Sequence, residues 1–266
     1  MSATTTTKPG QTEEDIPIQI VNFGPIPKIV HQIWLGPHDP PKNWMNSWVS
    51  FCQRYGWQYI LWNEEKIKAM RLHNIKEYNE SSSFQQKSDI ARYEIVYRYG
   101  GLYVDCDMIN LGHDLEKVLP FATSNFIAVP EHPHSTSTTS KLGVPYCANG
   151  FFAAVKGHPA LKKMISLIAS RLQSRWFYSH VWIQTGPVLF NLAIKDYPIT
   201  LIPYKWVFPL DFHYETNITD PMKYRRTSLV FCYNGHEYPH IKAAAVNGNS
   251  SSLLGGFFSK SSKGQK

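Results

Sequence analysis

An α/β fold around a mostly parallel sheet is predicted by three features met in order: an apolar run, a helically spaced set of aromatics, and a second apolar run. The first run is Ile29, Val30, Ile33 and Trp34, introduced by Pro27 and closed by Gly36 and Pro37. It reads as a buried strand. Trp44, Trp48, Val49 and Phe51 then recur at roughly helical spacing, and Trp57, Tyr59, Ile60, Leu61 and Trp62 return to a strand pattern. Strand, helix, strand in that order favours parallel pairing.

The stretch SDIARYEIVYRYGGLYVDCDMIN carries the next helix and strand. Ser88 is a good N-cap, and Ile90, Tyr93, Val96 and Tyr97 recur every three or four residues, so a helix is predicted over 89–99. Gly100 and Gly101 supply the left-handed backbone that ends it. Leu102, Tyr103 and Val104 form a short buried strand running directly into Asp105, Cys106 and Asp107. Further strands are predicted at Phe126 to Val129, Gly150 to Val155 and Leu201 to Ile202, and an amphipathic helix from Leu161 to Leu172 after Pro159. Their order in the sheet is not legible from the sequence.

The organisation expected is one domain over residues 23–246, between a Thr/Pro/acidic tail (1–22) and a Ser/Gly/Lys-rich tail (247–266). At 266 residues and 43% hydrophobic the chain can bury a substantial core. Its net charge of +7 raises nucleic acid as a partner, but the basic residues are scattered and no zinc-finger or RNA-binding signature accompanies them. No nucleic acid is expected. Cys52, Cys106, Cys147 and Cys232 form no CxxC pair and read as free buried thiols. There is neither an apolar stretch of about 18 residues nor an apolar core near the N-terminus of the kind a signal peptide needs. A cytoplasmic protein is therefore expected; peripheral contact with a membrane and the oligomeric state stay open.

The chemistry centres on Asp105 and Asp107. Residues i and i+2 of an extended segment point the same way, so two carboxylates are expected together at the carboxyl end of a strand, where open α/β sheets bind ligands. Hard oxygen donors with no His or Cys cluster beside them suit Mn2+ or Mg2+ completing its shell with water and phosphate. A bare D-x-D triplet is more often a charged turn; here the preceding buried strand and the repulsion between the two carboxylates favour a cation. One helix earlier, Asp89 and Arg92 share a helix face. They are either a surface ion pair or a carboxylate and guanidinium that grip a sugar and a phosphate.

On these residues the chain resembles glycosyltransferase family 32, the DXD-containing sugar transferases that include initiating α-1,6-mannosyltransferases and inositol-phosphoceramide mannosyltransferases. It is more distantly similar to the glucosyltransferase domain of the large clostridial toxins. The match runs from IPKIVHQIWLG (26–36) through WNEE (62–65) to SDIARYEIVYRYGGLYVDCDM (88–108), with weaker echoes at ANGFFAA (148–154) and TGP (185–187). The resemblance implies a GT-A type fold with a mixed, mostly parallel sheet flanked by helices. It also implies a UDP- or GDP-sugar donor, a glycan or glycolipid acceptor, Mn2+ or Mg2+, and transfer with retention. It places Trp34, with Ile33 before it, against the donor base, Asp89 and Arg92 on the donor sugar, and Tyr103 near the donor. Asp105 falls at donor and metal, Asp107 at the metal, Asn149 near the reacting sugar, and Thr185, Gly186 and Pro187 beside the acceptor. Where family members carry a His followed by a Ser-Trp motif, this chain has VFCYNGHEYPHIK; His236, or else His240, is the expected third metal ligand. Because that motif is incomplete, a catalytically degenerate nucleotide-sugar or glycan binding module is the competing reading. A metal-dependent phosphohydrolase is disfavoured by the sparse acidic residues over 132–195.

Overall fold

The computed structural model describes residues 24–81, 83–131, 145–173, 180–210 and 220–232. The predicted N-terminal tail and the C-terminal stretch holding His236 and His240 fall outside them. The chain opens β1 (Ile29–Ile33), α1 (Lys42–Tyr55), β2 (Gln58–Trp62), α2 (Glu64–Met70), α3 (Ile75–Glu80), α4 (Phe84–Tyr99), β3 (Gly101–Val104) and β4 (Met108–Asn110). It continues β5 (Phe126–Pro130), β6 (Cys147–Ala154), α5 (Pro159–Gln173), α6 (Val181–Gln184), α7 (Pro187–Ile194), β7 (Thr200–Leu201) and β8 (Val230–Cys232).

Six strands form one sheet in the order β2-β1-β3-β6-β5-β7. The pairs β1–β2, β1–β3 and β5–β7 are parallel, whereas β6 runs against both β3 and β5. Five strands thus share a direction and β6 alone opposes them, giving a mixed, mostly parallel sheet. A second small sheet pairs β4 with β8, antiparallel.

Both faces of the large sheet are covered, and the central strands β3 and β6 are buried on both sides. Leu102, Val104, Phe151 and Ala153 pack with Trp48, Phe51 and Trp57 on the α1 side. Tyr103, Phe152 and Ala154 pack with Ile90, Tyr93, Ile168 and Phe190 from α4, α5 and α7 on the other. The period of two along β3 and β6 therefore sorts Tyr103 to the α4 face. That sorting sets up the site.

Helix α4 corrects the sequence reading. It begins at Phe84, where Ser83 accepts the Gln86 N–H at 3.1 Å as the true N-cap, and Ser88 lies inside it. Apolar periodicity could not find the start, since Gln86, Asp89, Arg92 and Glu94 are buried along with Ile90, Ile95 and Val96. Gly100 and Gly101 do take positive φ, 68° and 102°. A side chain at Gly101 would run into the Ile29 carbonyl of the neighbouring strand. The strand predicted from Gly150 begins earlier, at Cys147, so Asn149 lies within β6. All four cysteines are buried thiols.

Candidate active site

Helix α4 and the end of β3 bring Asp89, Arg92 and Asp105 into one buried cluster. Asp89 and Arg92 are only 3% and 4% exposed, so the surface ion-pair reading does not hold. Arg92 Nη2 lies 3.2 Å from Asp89 Oδ1 and 3.3 Å from Asp105 Oδ1, bridging helix and strand. Its Nη1 donates to the Asn149 carbonyl of β6 at 2.8 Å, and the guanidinium lies 4.6 Å from the Tyr103 ring centroid. A planar fork with several donors suits this three-way hold, and a lysine could not reproduce it. Burial alone would weaken the guanidinium's grip on its proton, but Asp105, Tyr103 and Asp89 together raise its pKa.

Asp89 has all its partners inside the protein. Oδ1 accepts from Asn149 Nδ2 at 2.9 Å and Oδ2 from Thr185 Oγ1 at 3.0 Å. The same Asn149 amide donates to the Tyr93 hydroxyl at 3.0 Å, and that hydroxyl donates to the Thr185 carbonyl at 2.7 Å. Desolvation pushes Asp89 up to about 6 despite Arg92 beside it. Asp89 and Thr185 thus orient Arg92 and Asn149, and Thr185, fully buried, turns its hydroxyl inward.

Asp105 is the member that reaches the surface, its side chain 35% exposed. Tyr103, two residues back on the same face of β3, donates its hydroxyl to Asp105 Oδ1 at 2.7 Å. Oδ2 faces Gly150, across the strand pair, where any side chain would run into it. The backbone here departs from the extended geometry expected. The Asp105 carbonyl accepts the Met108 N–H at 3.2 Å, closing 105–108 into a turn between β3 and β4. The carboxylates of Asp105 and Asp107 therefore sit on a tight turn, not on alternate residues of a strand. The turn is held from both sides. Cys106 Sγ donates to the Ile33 carbonyl at 3.2 Å, Gln32 Nε2 to the Asp105 carbonyl at 3.2 Å, and Trp48 Nε1 of α1 to the Met108 carbonyl at 2.9 Å.

The donor set fits a hard divalent cation. Asp105, its side chain 35% exposed, brings a carboxylate of the Arg92-bridged cluster to solvent. Oxygen ligands of that kind hold Mg2+ or Mn2+ with few protein groups, the rest being phosphate and water. Among the described residues no group of three or more His, Cys, Asp or Glu side chains gathers into a self-sufficient metal site.

Of the other predicted residues, Trp34 is half-buried and its indole N–H donates to the His38 carbonyl at 2.7 Å, which fixes the ring beside the β1 exit loop. The Ile33 side chain lies in the core, so toward the site this residue presents its carbonyl. Asn149 is 8% exposed, within the cluster. Sequence reading missed Tyr93, Gln32 and the need for Gly150. Tyr93 stands four residues after Asp89 on one helix face, and a glycine inside the apolar run ANGFFAA is a signal of close approach.

Residues 41–124, from α1 to the segment before β5, match the model of the glycosyltransferase sugar-binding region containing the DXD motif. The chain is 32% identical over 186 residues to inositol phosphoceramide mannosyltransferase 1 of Schizosaccharomyces pombe, covering 66% of this chain and 53% of that protein. It is 25% identical over 240 residues to an uncharacterized glycosyltransferase of Acanthamoeba polyphaga mimivirus, covering 83% of this chain and 87% of that one. A solved glycosyltransferase involved in the glycosylation of the major capsid of PBCV-1 shares the fold, with a TM-score of 0.51 at 11% identity over 82% of this chain and 98% of that structure. The chain spans about half the length of the fission-yeast relatives it matches. Over residues 41–124 the chain therefore carries the DXD-containing sugar-binding region of glycosyltransferases, and it is built on the GT-A fold.

Proposed function

We propose that the chain transfers a hexosyl group from a UDP- or GDP-sugar to a hydroxyl of a glycan or glycolipid, with Mn2+ or Mg2+ and with retention. The observation that carries this reading is the bridge from α4 to the strand end, in which one buried arginine links Asp89 to the exposed Asp105. Asp105 and Asp107 would hold the cation. When bound, it supplies the charge that neutralises a departing nucleoside diphosphate. The chain's own contribution is orientation: Asp89 and Asn149 fix Arg92, which directs Asp105 through its Oδ1. Trp34, anchored through His38, offers an aromatic edge for the donor base. His236, or else His240, would be the third ligand that the resemblance implies. An acceptor that carries inositol phosphate on a ceramide is suggested by the fission-yeast relatives' names.

A panel of UDP- and GDP-sugars with vesicle-borne and soluble glycan acceptors, run with Mn2+, Mg2+ and EDTA, tests this reading. Metal-dependent transfer from one donor supports it. Tight donor binding with neither transfer nor hydrolysis under any metal would make the chain a binding module.

A further inference from the structure

Apart from this cluster, α2, α3 and the first turn of α4 line an open cavity of about 690 Å³. Its walls combine two chemistries. Lys68, Arg71 and Lys87 supply three cations, against Glu64, whose carboxylate already accepts the Gly36 N–H at 2.6 Å. Leu72, Ile75, Tyr78 and Phe84 supply the apolar lining, and Ile75 and Phe84 stay 38% and 48% exposed. The Lys87 ammonium lies 5.4 Å from the Tyr78 ring centroid and 6.0 Å from that of Phe84, so charge and apolar surface are interleaved.

A second observation points to a missing ligand. Tyr78 is 7% exposed, and its hydroxyl is buried without a hydrogen-bond partner among the described residues. Burial, with the Glu64 charge adding to it, pushes this phenol up to about 12, so it stays a proton donor. A buried hydroxyl lacking an acceptor is unfavourable, and Tyr78 is one of the residues that line this cavity.

We propose that this cavity binds the phosphoryl headgroup of an anionic membrane lipid and holds the chain against an anionic bilayer. A free anion would gain nothing from Ile75 and Phe84, and an uncharged apolar ligand would gain nothing from the three cations. A phosphate carried on an apolar stem satisfies both walls, and the cavity's size suits a headgroup with its first methylenes. The proposal does not rest on the transfer chemistry, since no residue lining the cavity belongs to the Asp89–Arg92–Asp105 cluster.

The test is co-sedimentation of the full chain with phosphatidylcholine vesicles, with and without phosphatidylinositol, at physiological salt. Binding is expected to require phosphatidylinositol. Replacing Lys68 and Lys87 by Gln together should weaken it about thirtyfold, at about fivefold per lysine. The same charge removed elsewhere, as Lys162→Gln with Lys223→Gln, should leave it within about twofold by the salt-screened range of distant charges. Tyr78→Phe keeps every charge; it should hold or raise the thermal midpoint while weakening vesicle binding about threefold to tenfold. That opposed pair of effects is one that a merely structural tyrosine does not give. Equal binding to phosphatidylcholine alone, equal loss in both lysine pairs, or full displacement by millimolar inorganic phosphate would each overturn the proposal.

Discussion

Helix α4 touches two buried polar networks, one at its C-terminal end and one in its middle, and they are built on opposite plans. At the end, His31 of β1 donates through Nε2 to the Gly100 carbonyl at 2.8 Å and accepts from Trp62 Nε1 at Nδ1, 3.1 Å away. One nitrogen gives and the other takes, so a single neutral tautomer satisfies everything. Burial lowers this imidazole to about 4, with the Gly100 carbonyl opposing only in part. In the middle, Arg92 bridges Asp89 and Asp105, and this ionisable cluster reaches solvent at Asp105. A neutral closed network fastens the helix to the sheet. A charged one left open at one end is ready to meet a charged ligand.

The largest expected effect comes from breaking the charged network. Arg92→Met leaves two carboxylates facing each other without their shared cation, so stability should fall by about 3–5 kcal/mol in chemical denaturation, and transfer should disappear. Removing Asp89 and Arg92 together should cost less than the sum of the two single changes, because the stranded charge goes with them.

The neutral network should fail with acid. The folded-state pKa of His31, about 4, lies below the ordinary value of 6.5, so its contribution is present above pH 6.5 and is lost as pH falls toward 4. That loss is on the order of 3 kcal/mol, at about 1.4 kcal/mol for each unit of pKa. His31→Gln should flatten this part of the stability–pH curve, measured by urea unfolding between pH 7 and 4.5. His158, lowered to about 4 by burial, keeps a second share of the slope, while Asp89, raised to about 6, contributes the opposite slope. A curve unchanged by the substitution would show that His31 is not the neutral fastening described.

Gly150→Ala sharpens the comparison, since it perturbs only the open end of the charged network. Its methyl group would displace Asp105 Oδ2, so the Mn2+ concentration needed for half-maximal activity should rise, with stability falling by about 1–3 kcal/mol. The smallest effect is expected at the helix start. Ser83→Ala removes the cap on α4 and should lower stability by about 1 kcal/mol, with little change in turnover.

These two networks were not equally legible in the sequence. The i, i+3 spacing of Asp89 and Arg92 and the strand leading into Asp105 placed the charged residues without any structure. What spacing could not give was that Arg92 is buried, or that Thr185 closes on Asp89 across 96 positions, because long-range contacts leave no local period. The turn at 105–108 escaped for a related reason: its hydrogen bond and the braces from Gln32, Cys106 and Trp48 belong to the fold and not to the tripeptide. His31 sat unremarked inside HQIWLG, since an imidazole in an apolar run gives no sign of whether it binds a ligand or two neighbours. The short helices α2, α3, α6 and α7 likewise offer too few turns for a period to show.

The central claim, that Asp105 and Asp107 hold a divalent cation for a nucleotide sugar, is tested most directly by Mn2+-dependent turnover of the donor identified in the panel, measured for the wild type and Asp107→Asn. The account predicts a loss of at least about a hundredfold in the variant, with no rescue by excess metal. An Asp107→Asn protein that turns over the donor at the wild-type rate with the same Mn2+ response would contradict it.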